Sequence, residues 1–170
     1  IRHITQYYLD SNDIEFHASV INYRGVSLVS ISTEEFQILK KTDHWVSRIR
    51  VQNDSVMFTL KGKQLGISTT ELEWVLSGLP NVQGLDEHPC VEKTRYCVDA
   101  TNGLIWEVDE FEGVLAGLIL AEIELESISQ DFEIPQWIGI ELTGLKNWSN
   151  ASLATTLLNA EELKKTLLQR

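Results

Sequence analysis

The chain has 170 residues, 43% hydrophobic and 23% charged, the proportions of a soluble globular domain long enough to bury a core. With 14 Lys and Arg against 25 Asp and Glu, the net charge is −11, which excludes a nucleic-acid binder working through a basic surface and makes any anion site local. No apolar run approaches the roughly 20 residues of a membrane span, and no signal-peptide pattern opens the chain. The reading is therefore cytoplasmic, with neither membrane nor nucleic-acid partner.

Short alternating segments bounded by Gly, Pro, Asn and Asp dominate. Residues 4–9 read as a strand, and 15–21 as another. Ser32-Thr33-Glu34-Glu35 forms a capping box that opens a short helix to about Lys41. Strands follow at 45–51 and 55–61, joined through Asn53-Asp54, a tight turn. Residues 68–79 fit either a capped helix or a strand ending in a helical turn. Strands at 91–98 and 104–111 flank Thr101-Asn102-Gly103, a second tight turn, and 118–125 is a further strand. Leu153, Leu157, Leu163, Leu167 and Leu168 make an apolar stripe along a C-terminal helix at 150–169. Connections this short imply antiparallel neighbours, and six to eight such strands imply a closed or nearly closed sheet. The helices at 32–41 and 150–169 are available to cover its apolar outer face.

Two cysteines, Cys90 and Cys97, are too few for a disulfide framework and read as reduced thiols. His3, His17, His44 and His88 show no metal-ligand spacing and receive no role. Trp45, Trp74, Trp106 and Trp137 read as packing residues, and Trp148-Ser149-Asn150 as a structural cap.

Side chains of a strand alternate between faces, so charge can be assigned by parity. Arg48 and Arg50 share a face, with Ile49 and Val51 behind them; Lys61 and Lys63 oppose Phe58 and Leu60; Lys93 and Arg95 share a face. Among the acidic residues, Glu107 and Asp109 share one face, Glu122, Glu124 and Glu126 another, and Glu71 and Glu73 a third if 71–73 is a strand. A one-sided sheet facing water would explain any one of these rows. Segregation of sign by strand is not explained so simply, because solvated faces mix signs. Clustered Arg and Lys opposite clustered carboxylates suit a polyphosphate with a hard divalent cation: Arg grips phosphate oxygens bidentately, and carboxylates hold Mg²⁺ or Mn²⁺. With no ligand, most of these charges should pair with one another.

The order and spacing of "ITQYYL" (4–9), "SRIR" (47–50), "FTLKGK" (58–63), "ELE" (71–73), "VEKTRY" (91–96), "WEVDEFEG" (106–113), "AEIELES" (121–127) and "PQWIGIELTGLKNWSNASLA" (135–154) resemble the CYTH superfamily of triphosphate tunnel metalloenzymes. That superfamily includes inorganic triphosphatases, thiamine triphosphatases and class IV adenylate cyclases. The resemblance implies a mainly β protein with flanking helices (α+β), built on an antiparallel eight-stranded β-barrel tunnel. It implies Arg48, Arg50, Lys61, Lys93 and Arg95 as phosphate-gripping cations, with Lys93 helping to activate water. Glu122 and Glu124 would bind Mg²⁺ or Mn²⁺, and Glu71, Glu73 and Asp109 would complete the acidic lining.

The family's Glu-x-Glu-x-Lys first strand lies before the point where this sequence begins. The expectation is thus one CYTH-like domain over 1–170, N-terminally incomplete, with an insertion at about 13–45. "GISTTELE" also lacks an Arg that many relatives carry before the acidic pair. The implied activity is metal-dependent hydrolysis of a triphosphate-containing small molecule. Alternatives are a class IV-type adenylate cyclase and a degenerate module that binds nucleotide or polyphosphate without turnover. A homodimer remains open.

Overall fold

The computed structural model describes residues 1–62, 69–127 and 129–156. In chain order these form β1 (Arg2–Leu9), β2 (Ile14–Phe16), β3 (Val20–Tyr23), β4 (Val26–Ser30), α1 (Thr33–Lys41), β5 (Trp45–Gln52), β6 (Ser55–Gly62), β7 (Glu71–Leu76), β8 (Cys90–Asp99), β9 (Ile105–Phe111) and β10 (Ile119–Ile123). A helical segment, α2, covers 150–156. Among these residues no helix is long and apolar enough to cross a membrane.

Seven strands make one antiparallel sheet in the order β10-β9-β8-β1-β5-β6-β7, and β2-β3-β4 make a second sheet of three. The architecture is mainly β with flanking helices, as expected. Closure of the large sheet into a barrel is not shown: β7 and β10 are its two edges among the described residues. The ambiguous 68–79 stretch is resolved as an edge strand, β7, where Leu72, Trp74 and Leu76 pack into the core. The expected strand at 15–21 is instead divided between β2 and β3, a hairpin that turns around residues 17–19. Asn53 turns the β5–β6 hairpin at φ 52°, a left-handed conformation that Asn tolerates better than most residues.

The main core lies on one face of the large sheet. Ile49, Phe58 and Leu60 are fully buried there against Ile21 and Tyr23 of β3 and Leu39 of α1. Each such side chain contributes roughly 1.5–3 kcal/mol by leaving water. The small sheet and α1 therefore cover the face behind β5, β6 and β7. Ser32 caps α1 in the expected capping box, and Glu35 closes it while its other oxygen accepts Trp74 Nε1 at 2.9 Å. Trp74 stacks on Phe58 with 5.6 Å between ring centroids, a packing role like that of Trp45.

His88 is buried and ties the small sheet to the loop that leads into β8. Its Nδ1 lies 2.7 Å from the Gly84 carbonyl, which can only accept, so Nδ1 carries the proton. Nε2 then accepts the hydroxyl proton of Tyr23 at 2.7 Å.

The C-terminal helix packs on the opposite face from the one suggested by its sequence. Ala154 is 1% exposed and sits against Tyr8, Val91 and Phe111, with Ala151 and Leu153 beside it. These three partners share parity with the charged rows, so that face is apolar toward one end, where α2's small side chains can approach closely. Ser149 caps the helix by accepting the Ser152 N–H at 3.2 Å. Leu157, Leu163, Leu167 and Leu168 lie outside the described residues, as does Lys63.

Phe58→Ala should lower the free energy of unfolding by about 3–5 kcal/mol, the cost of a large cavity at a fully enclosed site. Urea denaturation followed by tryptophan fluorescence measures it.

Candidate active site

Register assembles one lined face from seven strands. Across β1 and β5, Gln6 faces Arg50 and Tyr8 faces Arg48. Arg48 in turn faces Thr59, which faces Glu73, while Lys61 faces Glu71. On the other side of β1, Arg95 faces Asp109 and Glu107 faces Glu122. All ten residues expected at the site can be located. Nine lie on strands with the expected parity. Glu124 falls just after the end of β10 and is exposed.

The charges form two clusters of different character. In the first, a single carboxylate serves two cations. Lys93 Nζ lies 2.5 Å from Asp109 Oδ2, and Arg95 grips Asp109 with Nε and Nη2 at 2.6 and 2.7 Å. Arg95 Nη1 also donates to Glu107, and its Nη2 is 3.9 Å from Glu122. The Lys93 and Asp109 side chains are 1% and 3% exposed. Burial works against the Asp109 anion, but the hydrogen bond from Arg95 and the Lys93 charge outweigh it and hold the carboxyl below its ordinary range. Burial lowers the proton affinity of Lys93, and Arg95 adds to this; Asp109 opposes both. Sharing one anion between two cations leaves the lysine as the group whose proton is held less tightly. Lys93 Nζ also sits 5.5 Å from the Phe111 ring centroid.

In the second cluster the partners are looser. Arg48 Nη2 is 3.4 Å from Glu71 and 3.8 Å from Glu73, and Lys61 is 3.8 Å from Glu71. Thr59 donates to Glu73 at 3.1 Å. Arg48 Nε is buried with no hydrogen-bond partner. Arg50 forms no ion pair among the described residues; its Nε donates to Gln6 Oε1 at 2.9 Å. Burial, then the charges of Arg48 and Arg95, push the Arg50 guanidinium below its ordinary pKa. Among the described cations expected at the site, Arg50 alone therefore lacks the expected ion pair.

Four residues at the site received no role in the sequence reading. Glu107 was within reach of the parity argument, since it shares a face with Asp109. Gln6, Tyr8 and Thr59 carry no charge, and only their register places them here. Among the described residues no three metal-ligating side chains converge. The register pair Glu107 and Glu122 supplies two carboxylates on one face. That donor set fits a small hard cation, which takes one or two carboxylates and completes its shell with water and phosphate oxygens.

An antiparallel sheet presenting sign-segregated rows on one face defines the class. The CYTH domain model matches residues 32–156, and the chain belongs to that family. An inorganic triphosphatase of Acetivibrio thermocellus is 43% identical over 109 residues, covering 62% of this chain and 69% of that protein. An inorganic triphosphatase of Nitrosomonas europaea is 29% identical over 157 residues, covering 85% of this chain and 98% of that protein. The crystal structure of the inorganic triphosphatase NE1496 matches with a TM-score of 0.51 at 26% identity, covering 90% of this chain and 81% of that one.

Asp109→Asn should cost about 3–5 kcal/mol of stability, because it strands two buried cations. With the native pKa of Asp109 held below the 3.8 of the free side chain, the unfolded chain binds more protons in that interval. The Asp109 contribution is thus complete above pH 3.8 and declines as the pH falls through the native value. Acid titration of unfolding midpoints should show this decline in the wild type and a shallower one in the variant.

Proposed function

We propose that this protein hydrolyses a triphosphate, with inorganic tripolyphosphate as the first candidate, and that it requires Mg²⁺ or Mn²⁺. The observation that carries the proposal is the loosely compensated row of Arg48, Arg50 and Lys61 beside a buried cation pair, in a chain whose relatives are inorganic triphosphatases. A linear triphosphate carries several negative charges along one axis, and this row would meet them with two guanidinium forks and one ammonium. Lys93 and Arg95, fixed on Asp109, form the floor of the site. Glu107 and Glu122 would hold the divalent ion, with Glu124, Glu71 and Glu73 as further acidic lining. When bound, such an ion neutralises phosphate charge and polarises the phosphoryl group. The remaining work is positioning: aligning the terminal phosphorus for in-line attack by water. Lys93 is the candidate for helping to activate that water, since its proton affinity is lowered in the direction a general base requires.

Binding without turnover is the second reading. It is favoured by the open large sheet, whose edges among the described residues are β7 and β10.

Phosphate release from tripolyphosphate by the full-length protein, with Mg²⁺ or Mn²⁺ and then with chelator, tests both readings. Release that chelator abolishes supports the first. Arg50→Ala should then raise KM by about tenfold or more, the scale of losing a charge-assisted phosphate contact. Tight binding by calorimetry with no release would leave the binding module standing. Cyclic AMP formed from ATP without phosphate release from tripolyphosphate would replace hydrolase with cyclase.

A further inference from the structure

Arg50 differs from the other cations of the site in having a neutral partner. Gln6 is 0% exposed and lies directly opposite Arg50 across β1 and β5. Because an arginine Nε–H can only donate, the Gln6 atom 2.9 Å from it must be the carbonyl oxygen. The Gln6 amide NH₂ is thereby turned toward Tyr8, whose hydroxyl oxygen accepts it at 3.1 Å. Tyr8 is itself buried, opposite Arg48. Among the described residues no acceptor takes the Tyr8 hydroxyl proton, so the relay ends in a further donor.

Each alternative at position 6 would have a cost. An apolar side chain would leave Arg50 Nε partly buried without a partner. A carboxylate would hold Arg50 equally well but would cancel its charge, as Asp109 does for Arg95. Glutamine fixes the guanidinium through one hydrogen bond and leaves its positive charge and outer N–H groups available. Tyr8 preserves this neutrality. Burial, opposed by Arg48 and Arg50, pushes its pKa up to about 12, so the phenol remains uncharged between the two arginines.

We propose that Gln6, oriented by Tyr8, is a positioning residue that holds Arg50 for anion binding without neutralising it. This inference rests on the reading of the face as a polyphosphate site and adds a residue to it. Affinity at this face then depends on a neutral side chain that never carries charge itself.

Three variants of the full-length protein test this: Gln6→Glu, Gln6→Leu and Tyr8→Phe. Each is titrated with inorganic tripolyphosphate by calorimetry at several salt concentrations, and each is melted without ligand. Gln6→Glu is nearly isosteric and should weaken binding by about tenfold, with a shallower salt dependence, as expected when one cation is cancelled. Its ligand-free melting temperature should equal or exceed that of the wild type, because a new ion pair forms. Opposite movement of affinity and stability is a signature that a merely structural residue would not produce. Gln6→Leu should lose affinity too, and Tyr8→Phe less than either, since its ring still packs on Val91 and Phe111.

A Gln6→Glu variant that binds tripolyphosphate within twofold of wild type overturns the inference. So does a Gln6→Glu affinity loss accompanied by a lower melting temperature. A wild-type protein that fails to bind tripolyphosphate overturns both this inference and the reading of the face.

Discussion

A buried carboxylate between two buried cations is the constraint on which the lined face depends. Lys93 and Arg95 are almost wholly removed from water, and neither could be so without Asp109 between them. Taking isolated charges into the interior costs several kcal/mol per ion, and their mutual attraction returns this only when the geometry is close. The bidentate grip of Arg95 and the 2.5 Å contact of Lys93 meet that condition. They also fix register. A slip of one residue between β8 and β9 would put Asp109 on the opposite face from Lys93 and Arg95, leaving both cations without their carboxylate.

The same alternation builds the rest of the molecule. Behind β5 and β6 the apolar parity of Ile49, Phe58 and Leu60 is buried by β3, β4 and α1, so the chain between β1 and β5 works as a lid on hydrocarbon. In front, the charges are arranged so that few like signs meet directly. Lys61 faces Glu71, Arg95 faces Asp109, and Arg48 lies between the neutral Tyr8 and Thr59. Arg2 opposite Arg95 across β1 and β8 is one exception, and Glu107 with Glu122 across β9 and β10 is another, a carboxylate pair toward which Arg95 reaches. Such a pair is unfavourable alone and becomes favourable beside a cation.

Parity made most of this legible in the sequence. Alternation needs only the strand to be recognised, so Arg48, Arg50, Lys93, Arg95 and Asp109 could be put on one face before any coordinates. Strand existence was equally plain for β1, β5, β6, β8 and β9, whose alternation is long and whose turns carry Asn or Gly. What failed was local or non-local in specific ways. The β2–β3 hairpin turns through His17, Ala18 and Ser19, which carry no glycine or proline to mark the turn. β4 is a short edge strand with weak alternation. The placement of α2 depends on Tyr8, Val91 and Phe111 being adjacent, and those residues come from three separate strands. Gln6 was passed over because uncharged residues leave no trace in a pattern built on sign. Its importance follows from register, which sequence alone does not supply.

The two halves of the lined face are not equivalent toward an arriving anion. To bind at Arg95, an anion must compete with a carboxylate already held by two short contacts in a site of low dielectric. At Arg50 no carboxylate is hydrogen-bonded to the guanidinium, whose protein partner is an amide that attracts without compensating. Desolvating an uncompensated guanidinium is unfavourable, and its depressed pKa expresses that cost. An anion that settles against Arg50 relieves the cost, whereas one that settles against Arg95 would create a new cost at Asp109. The β8–β9 half is therefore closed by its own ion pairs, whereas in the β1–β5 half the Arg50 guanidinium is left without one.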